Sequence, residues 1–111
     1  MALAEEKNQV VEKEQPKYRY RVRPRYTAWN EGDKVHIRIA LPGVNREDIE
    51  MKALKDLFML RAKRDHILYT LDINLYDEII PDKSEAKYNE GLLEIEFTRY
   101  NPLEDAFEIK L

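Results

Sequence analysis

Apolar and polar residues alternate with a period of two along most of this chain. Val35, Ile37, Ile39 and Leu41 share one parity and Lys34, His36, Arg38 and Ala40 the other, as in a strand with one buried face and one wet face. Ile49, Met51 and Ala53 alternate with Glu50 and Lys52 in a second strand. Leu57 to Lys63 is apolar on both parities at its start, so both faces are expected to be covered there. Ile67 to Leu75 follows after only Arg64, Asp65 and His66, which requires a tight hairpin. Leu93, Ile95 and Phe97 alternate with Glu94 and Glu96 in the last strong strand. Further upstream, Tyr18, Tyr20, Val22 and Tyr26 share a parity opposite Lys17, Arg19, Arg21, Arg23 and Arg25, with Pro24 limiting that strand to an edge or ending it.

Turn residues punctuate these runs. A short strand from Tyr26 to Asn30 is expected to lead into the turn Asn30-Glu31-Gly32-Asp33 and so into a hairpin, and Asn89-Glu90-Gly91 reads as a second such turn. Pro42, which lacks an N–H, ends a ladder, and Gly43 lets the chain reverse. Asn45 to Asp48 is long enough for one helical turn, and Ile79 to Ser84 reads as a loop around Pro81. Seven to eight short strands with turn signals every 8–12 residues predict an all-β antiparallel sandwich.

Composition bounds the rest. The 111 residues, 43% of them hydrophobic, suit one domain. The charged fraction of 37% exceeds the globular average of about 25%, so flexible arms are expected at the ends. The predicted organisation is an arm over 1–25, the sandwich over 26–98 and an extension over 99–111. Residues 1–16 carry Glu and Lys with a thin apolar stripe of Leu3, Val10 and Val11, consistent with a frayed helix that a partner orders. The extension is mostly polar yet ends Phe107-Glu108-Ile109-Lys110-Leu111, three apolar residues at alternate positions. That spacing suits strand addition to an open edge.

Without cysteine there is no disulfide framework, thiol nucleophile or thiolate metal site, which leans toward a reducing compartment, the cytoplasm. No export signal and no membrane span are expected. Net charge is −3, but residues 17–25 hold five basic residues and no acid. Tyrosines interleave with that basic collar, a combination that can bind nucleic acid. An acidic pI of 5.5 and the lack of a second basic stretch favour instead an arm (Tyr18, Tyr20, Val22, Tyr26) that contacts protein. His36 and His66 are the only histidines and are not placed as metal ligands. Asp72, Asp77 and Glu78 are ordinary carboxylates in an acid-rich chain, and no phosphate-cradling glycine loop or nucleophile motif accompanies them. No catalytic residue, cofactor or metal is expected, and the chain does not read as an enzyme.

Three fragments in order resemble the alpha-crystallin domain of the small heat-shock proteins, over about residues 26–111. Leu41-Pro42-Gly43-Val44 is similar to that family's leucine-proline-glycine turn. Leu75 to Leu93 follows the family's pattern without a gap and ends in an A-x-x-x-x-G-x-L signature at Ala86, Gly91 and Leu93. Ile109-x-Leu111 resembles the C-terminal tag. The resemblance implies an immunoglobulin-like sandwich that binds partly unfolded client proteins without ATP and forms a homo-oligomer, a dimer or larger. It also implies that Ile109 and Leu111 enter a groove of another subunit lined by Ile49, Met51, Ala53, Ala86 and Tyr88.

The chain departs from the family in three places. The long dimerisation loop of many prokaryotic members is replaced by Arg64-Asp65-His66, Tyr76 stands at a usual proline, and Ser84 at a usual aliphatic position. Pairing through residues 66–75, or a monomer, is therefore expected in place of a swapped dimer. The alternative reading is an adaptor similar to the CS domain of co-chaperones, binding a folded partner without assembly.

Overall fold

The computed structural model of the chain describes residues 18–111. Within them eight strands form two four-stranded sheets: β1 (Tyr20–Val22), β2 (Tyr26–Glu31), β3 (Lys34–Ala40), β4 (Ile49–Leu54), β5 (Leu57–Arg64), β6 (Ile67–Asn74), β7 (Ile79–Asn89) and β8 (Leu92–Arg99). One sheet has the order β1-β6-β5-β4 and the other β2-β3-β8-β7. All pairings are antiparallel except β1 with β6. The all-β sandwich expected from the alternation is the observed fold.

The period-two pattern decides which face is buried. Val35, Ile37, Ile39, Leu93, Ile95 and Phe97 from one sheet meet Phe58, Leu60, Ala62, Tyr69 and Leu71 from the other, all buried. Phe58 and Phe97 pack edge to face with ring centroids 5.7 Å apart, tying the sheets at the centre of the core. The outer faces carry the charges, including a bidentate Arg61–Asp72 pair on neighbouring strands at 2.7 and 3.2 Å. The hydrogen bonds from Arg61 hold the Asp72 carboxyl below its ordinary range.

Two expectations change. Ile79 to Ser84 is not a loop: it opens the eleven-residue β7, and a bulge between Ile80 and Ser84 leaves residues 81–83 without partners on β8. The bulge accommodates Pro81, whose ring nitrogen could not join a ladder. The strand expected from Lys17 to Tyr26 keeps only its middle, whereas the short strand expected from Tyr26 to Asn30 ahead of the turn is observed as β2. Tyr20–Val22 runs parallel to Ile67–Tyr69 in one sheet, the chain crosses at the buried Pro24, and Tyr26–Glu31 pairs with β3 in the other sheet. The arm expected over 1–25 therefore contributes a strand to the sandwich, and β6, expected to be an open edge over 66–75, is already covered at residues 67–69. The helix expected over 1–16 lies outside the described residues.

Candidate functional site

β4 and β7 are the edge strands of opposite sheets, and they approach each other over a short stretch without closing over the core between them. On β4 the inward positions are Ile49, Met51 and Ala53, opposite Ala62, Leu60 and Phe58 of β5. On β7 they are Ser84, Ala86 and Tyr88, opposite Phe97, Ile95 and Leu93 of β8. The gap between them is an open groove of about 210 Å3, with Met51, Ala53 and Ala86 on its walls and Phe58, Ile95 and Phe97 as its floor. Met51 is 37% exposed and Ala86 is also exposed, although both point toward the core side of their sheets. Lys52 and Glu85 stand at the rims.

Ile49 and Tyr88, expected in the same lining, sit elsewhere. Ile49 begins β4 just after the helical turn Arg46–Asp48 and packs against the core beside Glu47 and Asp48. Tyr88 is half-buried, and its hydroxyl lies 2.8 Å from the Leu41 carbonyl and 2.6 Å from that of Val44, so it pins the turn at 42–43. Desolvation pushes its phenol above the ordinary value, opposed by the bond to Val44. The floor residues Phe58, Ile95 and Phe97 were legible only as core; their groove-facing edges appear once two edge strands fail to close over them.

The signature residues form one structural unit. Leu41 is fully buried and its N–H donates to the Gly91 carbonyl at 2.7 Å. Gly43 and Gly91 have φ of +76° and +82°. Arg64, at the inward end of β5, reaches under Gly43 and donates to the Pro42 carbonyl at 2.7 Å. Leu93 is buried beside Ile39. Apart from Ala86, which faces the groove, these residues build the end of the sandwich.

The extension leaves β8 at Arg99, makes a short 3-10 turn at Pro102–Asp105 capped by Asn101, and continues without strand pairing. Phe107, Ile109 and Leu111 are all exposed, Ile109 at 86%. Of the aromatic arm, Tyr20 and Val22 lie exposed on β1, Tyr26 begins β2 and carries Arg23 over its ring at 5.6 Å, and Tyr18 borders the β4–β5–β6 outer face. Among the described residues no cluster of three or more His, Asp or Glu is arranged to hold a metal ion, and no helix is long and apolar enough to cross a membrane.

This architecture has solved counterparts. Heat shock protein 16.0 from Schizosaccharomyces pombe superposes with a TM-score of 0.66 at 18% identity, covering 81% of this chain and 98% of that one. The fold is that of the small heat-shock proteins. A small heat-shock protein from Xylella fastidiosa shares it at TM-score 0.63 and 18% identity, with 79% and 92% covered, and HspA from Xanthomonas axonopodis at 0.62 and 20%, with 70% and 94% covered. No family model matches the sequence. Among curated proteins, 18 kDa antigen 2 of Mycobacterium avium is 26% identical over an 82-residue alignment taking in 61% of this chain. The chain spans 59% of that relative's length. In this chain β5 and β6 are joined by a two-residue turn, Asp65-His66, and no long loop leaves the sandwich there.

Proposed function

We infer that this protein is an ATP-independent holding chaperone of the cytoplasm, which binds partly unfolded proteins and assembles with itself through Ile109 and Leu111. The observation that carries the reading is an apolar groove with exposed walls on the same chain as an exposed pair of aliphatic residues spaced i, i+2. Residues at that spacing in an extended segment point the same way, so both enter one groove while Lys110 stays outside. Full burial of each is worth about 1.5–3 kcal/mol, too little for one stable link and enough for an assembly held by several.

The same groove serves clients, whose exposed apolar segments have the same chemistry as the tag. Tag and client compete, so the assembly stores its binding surface until a client displaces a tail. The exposed Tyr20, Val22 and Tyr26 add apolar contact area on the opposite side. The test is light scattering of a heat-denaturing client with a molar excess of the protein and no nucleotide. The reading expects suppression; unchanged scattering overturns it.

The short β5–β6 turn favours a second reading, an adaptor similar to CS domains that docks a folded partner on one sheet face. Such an adaptor leaves the scattering of the client unaltered.

A further inference from the structure

A second groove lies on the side of the sandwich away from β4 and β7. The inward positions of β2 are Tyr26, Ala28 and Asn30, opposite Ile39, Ile37 and Val35 of β3. All six residues of β2 are nevertheless exposed, because β1 covers β6 only at residues 67–69 and nothing among the described residues continues over Ile73 and Leu75. The resulting apolar cleft of about 350 Å3 runs between β2 and the end of β6. β2 is also a sheet edge among the described residues, with no inward charge and no proline to blunt it.

The phase of the ladder shows which backbone groups of β2 are free. The Arg25 carbonyl accepts from the Ala40 N–H at 3.0 Å, so residue 25 belongs to a hydrogen-bonded couple with β3. Such couples alternate along an antiparallel pair. Thr27, Trp29 and Glu31 therefore turn their N–H and C=O toward β3, and Tyr26, Ala28 and Asn30 turn theirs to the outside.

We propose that β2 pairs antiparallel with β2 of a second copy of this chain, about a two-fold axis at Ala28. This register has Ala28 facing Ala28 and Tyr26 facing Asn30 of the second copy, and it satisfies every free N–H and C=O of the three outward residues on both strands. The same register sets Arg25 directly opposite Glu31 of the second copy, twice by symmetry. Arg25 is exposed, and Glu31, 77% exposed at its side chain, is held only by a 3.6 Å approach to His36. On the outer face Thr27 meets Trp29, which is stacked on His36 at 5.0 Å and covered by Arg38 at 5.2 Å, so it is presented in a fixed orientation. On the inner face the two apolar clefts become continuous. An arbitrary client strand lacks this reciprocal match of charge to charge, which is why a second copy is the occupant. The contact is independent of the tail, and it supplies a two-fold unit to a chain with no loop to exchange.

The test uses the 111-residue chain, which contains no cysteine. Cα atoms of a hydrogen-bonded antiparallel couple lie about 5.5 Å apart, within disulfide range. Ala28→Cys is therefore expected to give a disulfide-linked dimer on mild oxidation, whether or not Ile109 and Leu111 are replaced by Ser. Arg25→Glu or Glu31→Arg, each added to Ala28→Cys, is expected to weaken association on the order of tenfold, by placing like charges opposite one another at two sites. Combining both reversals restores cross-linking. A chain that stays uncrosslinked, reversals without effect, a double reversal that fails to restore, or cross-linking to an added cysteine-bearing unfolded protein in preference to itself each overturns the proposal.

Discussion

Gly91 lies so close to Pro42 that a Cβ added to it would sit 3.1 Å from the Pro42 Cα. The two turns carrying the clearest family resemblance are thus in contact, although 49 positions separate these residues in sequence. Their residue types are explained by this approach: Gly91 has a left-handed φ of +82° and backbone packed against it, while the Leu41 N–H donates to its carbonyl.

Gly91→Ala is expected to destabilise the fold by about 2–4 kcal/mol, since backbone strain and a clash with unyielding backbone act together. Gly32→Ala is the control. Its φ of +60° is also left-handed, but nothing lies within 4 Å of the added carbon, so the cost is about 1 kcal/mol. Urea unfolding of the two variants measures the difference; equal costs would remove the packing argument.

Tyr88→Phe loses the hydroxyl that joins β7 to the carbonyls of Leu41 and Val44, and is expected to cost about 1–2 kcal/mol at neutral pH. Its phenol is raised above the ordinary value, so the folded state favours the protonated form. That contribution is complete below the unfolded-state value of about 10 and is lost as pH rises through the raised folded value. Denaturation midpoints between neutral and strongly alkaline pH check this, with the wild-type chain falling more steeply than Tyr88→Phe.

Ala86→Trp fills the β4–β7 groove from its wall. Ala86 is exposed, so stability should change by no more than about 0.5–1 kcal/mol. Assembly size and client protection should both fall, measured by light scattering of the particle and of the client. Retention of both would place the docking surface elsewhere.

The sequence made the interior strands plain, because in β3, β5 and β8 burial follows parity at every central position. The edges were harder, and for physical reasons. Pro81 signals a loop when read locally, yet a bulge on an edge strand accepts it. Lys17 to Tyr26 shows one continuous alternation, and only the buried Pro24 marks the change of sheet. Parity correctly grouped Met51 and Ala53, and Ala86 with Tyr88, but it carries no information on position along a groove. Tyr88 lies at the end where the turn at 42–43 closes the sandwich, so its hydroxyl finds carbonyls there. The floor of the groove, Phe58 and Phe97, had no separate signal because a residue at the rim of a core has the composition of the core.

The central claim, that Ile109 and Leu111 leave their own sandwich and fill the β4–β7 groove of a neighbour, is tested most directly by sedimentation velocity of the 111-residue chain beside Ile109→Ser/Leu111→Ser. Both side chains are exposed, so the substitutions leave the fold intact. The account predicts that the native particle contains several subunits and that the double variant falls to a dimer or below. An unchanged particle, or a wild-type chain no larger than the variant, would contradict it.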